Sequence, residues 1–460
     1  MVYDTVIIGA GLSGLAAGIR LAYFERSVCI LEKHTKVGGL NSFYRLRKRD
    51  HDVGLHAVTN YAPPGTKTGP LSKLLRQLRL SWDDFGLKPQ KASAIKFGDC
   101  TLEFNNEFEF LFQQIADRFP KDVDGFRNLL KRIEGYEEVS LTRKFCSARQ
   151  VVGEHISDPL LAQMLFCPLL FYGSATPRDM DFGQFVILFK SIFYEGFARP
   201  SHGVRRILDS LVGKFKSLGG ELRLRRGVRS IKVENNRAVG VELANGEIIE
   251  ARNVLSSAGA AETMRLCPEA PADSHPRPGE ISFVETIFSL DRPPEEFGHD
   301  DTIVFYNDSD DFRYERPETP VDVRSGIICS PNNFQFDEPS GDGRIRITAL
   351  ADPGYWIQLP RDEYKAEKQR WAERIVESAL RYVPDFRSFI VDTDMFTPRT
   401  IKKYTGHLNG CVYGAPDKAL DGKSRYENLY LCGTDQGFLG IIGAMLSGIS
   451  IANAYLLKHR

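Results

Sequence analysis

The chain has 460 residues, 42% hydrophobic and 26% charged, with a mean hydropathy of −0.27 and 60 basic residues against 60 acidic ones. That is apolar material for about two to four packed domains, and too much for a disordered chain. Zero formal net charge argues against a dedicated nucleic-acid binder, and eight scattered cysteines without a C-x-x-C pair argue against a disulfide scaffold or a zinc site and for a reducing, cytoplasmic compartment.

The segment from Thr5 to Gly14 reads as a buried strand running into a glycine turn, with a helix over Leu12 to Glu25 and a second strand, Val28 to Leu31, ending on Glu32. Gly9 permits the tight turn, Gly11 lets backbone N–H groups approach a pyrophosphate, and Gly14 lets helix and sheet pack closely. The phosphates then sit at a positive helix end. Glu32 follows Gly14 at about the twenty-residue interval of a carboxylate that binds an adenosine ribose. The apolar start lacks a basic leader, and its glycines belong to this turn, so no signal peptide is expected. Gly38-Gly39 then turns the chain back across the pyrophosphate, which favours FAD over NAD.

The loop Ala62 to Pro70 leads to helical patterns over Leu71 to Leu80 and Phe126 to Tyr136. The apolar stretches Pro159 to Phe171 and Phe182 to Phe197 are interrupted by polar residues and Pro168, which fits buried helices better than membrane spans. An amphipathic helix from Gly203 to Leu218 gives way at Gly219-Gly220 to a period of two. Strands over Glu221 to Leu224, Val228 to Val233, Ala238 to Leu243 and Glu247 to Glu250 form a meander with turns at Asn235-Asn236 and Asn245-Gly246. A further strand, Asn253 to Gly259, ends on small residues. Strand patterns over Ile281 to Leu290 and Arg344 to Leu350 precede a helix over Tyr364 to Tyr382. Near the end, Asn428 to Asp435 reads as a strand delivering an acid to a loop. Gly437 to Gly448 reads as a glycine-rich helix start that packs on the first strand with its positive N-terminus toward a cofactor.

Residues 1–75, 200–265 and 395–460 thus form one discontinuous cofactor domain, and 76–199 with 276–394 a second, substrate-binding domain. The candidate cofactor contacts are Gly9, Gly11, Leu12, Ser13, Gly14, Glu32, Lys33, Gly38, Gly39, Leu40, Asn41, His56, Val228, Gly433, Asp435, Ile442 and Gly443. Asp435 is expected on the ribityl or pyrophosphate region.

Asp52-Val-Gly54-Leu-His56, the stretch Phe396 to Thr400 with Tyr404-Thr-Gly406 and Gly410 to Gly414, and Leu429 to Ala444 resemble motifs of one flavoprotein branch. It is the branch of phytoene desaturases, carotenoid isomerases and retinol saturases, within the FAD-dependent amine oxidase-like superfamily. Leu40-Asn41, where many relatives carry a basic residue, and Pro200-Ser-His-Gly203, in place of P-x-G-G, depart from its pattern. The resemblance implies an α/β fold: a Rossmann-like FAD-binding domain of glutathione reductase type with three-layer ββα features, and a mixed α+β substrate domain.

It also implies an FAD-dependent oxidoreductase that desaturates, saturates or isomerises an apolar isoprenoid or polyene lipid such as a carotenoid, retinoid or squalene-like molecule. The electron partner (quinone, oxygen or a reductase) is left open, and peripheral contact with the cytoplasmic membrane face is expected. A flavin amine oxidase is the enzyme alternative. A prenyl-binding protein of the GDP-dissociation-inhibitor fold is the non-enzyme one, against which the intact flavin contacts count. His56 is the candidate acid–base group, with a structural histidine bonded to a backbone carbonyl as the plainer reading. Tyr413 is a second candidate, flanking the flavin or filling the domain seam. No metal-ligand pattern is read from Glu154-His155 or His202.

Overall fold

The computed structural model describes residues 2–136, 145–268, 270, 271, 275–338 and 342–458, so parts of the 76–199 and 276–394 stretches lie outside it. Two seven-stranded sheets organise the described residues. The first has a parallel core in the order Leu429–Leu431, Ile248–Ser256, Tyr3–Ile8, Val28–Glu32, Glu221–Leu224. Alternation along these strands sorts the side chains. Ile7, Ile30 and Leu255 pack under helices Leu12–Tyr23, Val204–Ser217 and Gly440–Ile451. Val6, Ile8, Cys29, Leu31 and Val254 pack instead on the meander residues Ile231, Ala238, Val241 and Leu243. Helices, parallel sheet and meander make three layers.

One strand does two jobs. The stretches 247–250 and 253–259, expected as separate strands, are a single strand Ile248–Ser256. Its first part pairs antiparallel with Arg237–Leu243, and its second part pairs parallel with Tyr3–Ile8. Polar Glu250 and Arg252 read as a break because their side chains leave the sheet toward solvent. The closing helix also differs from expectation: it packs on helix Leu12–Tyr23 rather than on the first strand. Gly448 lies so close to the Ser13 carbonyl that a Cβ there would collide with it.

The second sheet runs Ile390–Phe396, Phe283–Leu290, Gly343–Leu350, Ser325–Cys329, Ile303–Asn307, Ser93–Phe97, Cys100–Phe104. It is antiparallel except where Ile303–Asn307 meets Ser93–Phe97. One face carries Phe97, Phe104, Phe283 and Phe305 against helices Pro159–Gly173 and Phe182–Phe189. The other carries Val284, Val304 and Ile347 against Trp371 of helix Arg361–Ala379. Asp158 starts the first of these helices by accepting from the N–H groups of Leu160 (2.9 Å) and Leu161 (3.4 Å), and the helix continues through Pro168. No helix among the described residues is long and apolar enough to cross a membrane.

After Gly38-Gly39 comes a hairpin, Phe43–Leu46 and Arg49–Asp52. It ties the two sheets together. Tyr44 donates to Asp394 (2.7 Å), and Arg47 pairs with Asp392 (2.8 Å).

Candidate active site

The C-terminal ends of strands Tyr3–Ile8, Val28–Glu32 and Ile248–Ser256 open on a cleft of about 540 Å³ that runs on between the sheets. Gly9 has φ +95°, and a Cβ on Gly14 would strike the Gly9 carbonyl, so helix and strand touch only because both are glycine. A Cβ on Gly11 would point into open space, the room a phosphate needs. No side chain caps the N-terminus of helix Leu12–Tyr23 or of helix Gly440–Ile451, so both present free N–H groups at the cleft. Gly38, at φ +110°, donates its N–H to the Ala10 carbonyl (2.8 Å) and folds the second arm over the first. Glu32 accepts from Ala10 N–H (2.9 Å) and His34 N–H (2.8 Å), and each oxygen retains a lone pair for a ribose hydroxyl. These features fit a dinucleotide lying along the cleft.

Gly9, Gly11, Leu12, Ser13, Glu32, Lys33, Gly38, Gly39, Leu40, Asn41, His56, Val228, Tyr413 and Gly433 all line it. Gly14, Asp435, Ile442 and Gly443 lie off the lining. Gly14 faces the strand, and Ile442 is buried in the helix layer. Asp435, 1% exposed, has one carboxylate oxygen on Ala260 N–H (2.5 Å) and the other on Ala415 N–H (2.7 Å). It braces the loop over the cleft, while Thr434, Gly440, Ile441 and Ala444 face the space it was expected to face.

At the far end of the cleft, His56 Nε2 lies 2.9 Å from Thr348 Oγ1 and 3.5 Å from Glu285 Oε1, so its partners are side chains rather than a backbone carbonyl. Glu285 forms an ion pair with Arg346, whose guanidinium also donates to the carbonyls of Leu55 (2.5 Å) and Asp52 (3.2 Å). Arg199 donates to the carbonyls of Leu55 (2.7 Å) and His56 (2.8 Å) and pairs with Asp52 (2.5 Å). Asp52 in turn accepts the Val204 N–H (3.0 Å) at the start of a helix. Two buried arginines therefore clamp the backbone that carries His56.

Burial would raise the Glu285 carboxyl, but Arg346 and His56 outweigh it and hold it at about 2. Burial pushes His56 below its ordinary value despite Glu285. At neutral pH the pair is a carboxylate facing an uncharged imidazole. Since a carboxylate only accepts, it favours hydrogen on Nε2 and a lone pair on Nδ1.

Around this pair the walls are Phe171, Tyr172, Phe283, Ile327, Val412 and Tyr413. Phe283 and Tyr413 meet edge to face, with centroids 6.0 Å apart at 80°. The Tyr413 hydroxyl donates to the Phe171 carbonyl, and burial raises it above its ordinary range, so the phenol keeps its proton at the chamber wall.

Residues 12–456 match the family of flavin-containing amine oxidoreductases. The chain belongs to that family. The chloroplastic prolycopene isomerase of Daucus carota is 24% identical, with 98% of this chain and 79% of the relative covered. A lycopene-forming phytoene desaturase of Pseudescherichia vulneris is 28% identical, with 86% and 85% covered. Among solved structures, an oxidoreductase from Methanosarcina mazei superposes with a TM-score of 0.70 at 17% identity, covering 98% of this chain and 99% of that one. The flavoenzyme is thus an FAD-dependent oxidoreductase.

Glu285, Thr348, Arg346 and Arg199 were not found from the sequence. Their signal was a charge set inside an apolar strand, as in Phe283-Val-Glu285-Thr-Ile287 and Ile345-Arg346-Ile347. Strand alternation assigns such a charge to solvent, yet here it turns inward because a partner waits there.

Proposed function

We propose that this flavoenzyme acts on the C–C or C=C bonds of an apolar isoprenoid or polyene lipid, by desaturation, saturation or isomerisation. The observation that carries this reading is the aromatic chamber of Phe171, Tyr172, Phe283 and Tyr413, which is continuous with the dinucleotide cleft and has the His56–Glu285 pair at its edge. The resemblance to a prolycopene isomerase and a phytoene desaturase supports it.

Bound FAD supplies hydride transfer at carbon. Gly9, Gly11, Gly38, Glu32 and the two helix N-termini would hold it. The chamber walls orient the chain and exclude water. His56, uncharged at neutral pH, accepts or returns a proton through Nδ1, and the Glu285 carboxylate offsets the positive charge that forms on the ring. Asp52, Arg199 and Arg346 hold the imidazole in place. Such substrates reside in lipid, so the reading includes peripheral contact with the cytoplasmic membrane face; exposed Phe145, 64% accessible, is a side chain suited to it.

The test is to incubate the FAD-loaded protein with polyenes of differing conjugation and to record absorption spectra and product masses. A changed conjugation length with hydrogen lost or gained, or a changed isomer of equal mass, supports the reading. Unaltered polyenes alongside turnover of a primary amine would overturn it.

A further inference from the structure

A second cluster of ligating groups sits beside the adenosine end of the cleft. Glu262 comes from the short helix Ala260–Arg265, and His407 and Cys411 flank the turn Leu408–Gly410. A carboxylate oxygen of Glu262, Nδ1 of His407 and Sγ of Cys411 lie within 4.8 Å of one another, and His407 Nδ1 is 3.7 Å from Glu262 Oε1. His407 is 9% exposed and Cys411 1% exposed. His407 Nδ1 is buried with no hydrogen-bond partner, a costly condition that a bound ion would relieve. The turn itself is fixed, because Glu262 Oε1 accepts the Leu408 N–H (2.7 Å). Asp435 braces the same seam through Ala260 and Ala415.

We propose that Glu262, His407 and Cys411 form a binding site for one zinc-class divalent cation, which pins the loop carrying Tyr413 to the helix at the adenosine side of the cofactor. Carboxylate, imidazole and thiolate form a borderline-soft set, which selects zinc or cobalt over magnesium or calcium. The 3.7 Å between His407 Nδ1 and Glu262 Oε1 is close to the roughly 3.3 Å edge of a tetrahedron with bonds of about 2.0 Å, and the sulfur, within 4.8 Å of both groups, moves inward to complete the set. Glu262 and His407 also line the cleft, which leaves a route for the ion and for a water as fourth ligand. A cysteine ligates a cation as the thiolate, so the ion must displace the thiol proton of Cys411. Binding then joins metal to sulfur and releases one proton to solvent, with no change of oxidation state. The site does not depend on the lipid reading.

The experiment uses the FAD-loaded protein after dialysis against a chelator. Cobalt(II) and zinc(II) are titrated in, with calorimetry for stoichiometry, proton release from a weakly buffered solution, and the visible ligand-field bands of tetrahedral cobalt, which lie to the red of oxidised flavin. One equivalent of metal, about one proton released, and affinity loosened at least tenfold in each of Cys411→Ser and His407→Gln are expected. Cys146→Ser, which removes the exposed cysteine, should bind as the wild type does. Flavin absorbance and urea midpoint establish that the variants are folded. Should one fail to fold, the other variant and the wild-type stoichiometry still decide. No stoichiometric uptake by the wild type, or uptake unchanged by the substitutions, overturns the proposal.

Discussion

Replacing Glu285 by glutamine tests whether the charges behind His56 are as tightly coupled as their geometry implies. The carboxyl is held at about 2 against an ordinary 4.5. A difference of about 2.5 in pKa, at about 1.4 kcal/mol for each, gives about 3 kcal/mol of pH-dependent stabilisation. Removing one partner of a buried ion pair costs about 3–5 kcal/mol, since Arg346, 2% exposed, would keep its charge unpaired, so the two routes agree. The sign is fixed by the direction of the shift. Glu285 is depressed in the folded protein, so its contribution is complete above the unfolded value near 4.5 and is lost as pH falls toward 2. Urea midpoints of the FAD-loaded wild type and Glu285→Gln, measured from about pH 7 to about pH 3, should therefore differ most at neutral pH and converge on acidification. A difference below about 1 kcal/mol at pH 7, or one that stays constant with pH, would refute the coupling.

Three further outcomes are expected. Glu32→Ala should weaken FAD binding by about 1.5–3 kcal/mol, roughly tenfold to more than a hundredfold in Kd, as read from quenching of flavin fluorescence; an unchanged Kd would remove Glu32 from the ribose site. Gly14→Ala places a Cβ on the Gly9 carbonyl and should give a folded but colourless protein, as circular dichroism and absorbance would show, whereas a yellow preparation would mean that the cradle tolerates the change. His56→Gln should lower turnover about 10²–10⁴-fold at unchanged flavin content, and undiminished turnover would reduce His56 to a structural residue.

The cofactor end was legible because backbone geometry dictates it. Gly9 and Gly14 have no substitute where φ is positive or where helix meets strand, and Glu32 ends a strand whose position follows from its partner. The strands and helices at residues 5–31 and 203–250 followed from periodicity, while their stacking in three layers was implied by the family resemblance. The second sheet was harder to see. Ser93–Phe97 and Cys100–Phe104 are five residues each and lie among helical patterns, and their place beside Ile303–Asn307 depends on a pairing remote in sequence. The clamp on His56 was hidden for the same reason: Arg199, Glu285 and Arg346 come from three distant segments and look like ordinary strand or loop charges until the sheets close on them. Asp435 was read as an acid delivered to a loop at the ribityl or pyrophosphate region, but its partners, the N–H groups of Ala260 and Ala415, leave no mark in a sequence.

If one cleft holds FAD at its glycine end and an apolar chain at its aromatic end, flavin and lipid must meet and react there. The most direct measurement is the absorbance of bound oxidised flavin during anaerobic mixing with carotenoid precursors, retinoids, squalene derivatives and amines, with dithionite-reduced protein run in parallel. At least one polyene should bleach the oxidised flavin, restore colour to the reduced flavin, or be isomerised with no net change in it, while amines leave the spectrum as it was. Bleaching by an amine, with every lipid inert in both directions, would contradict this.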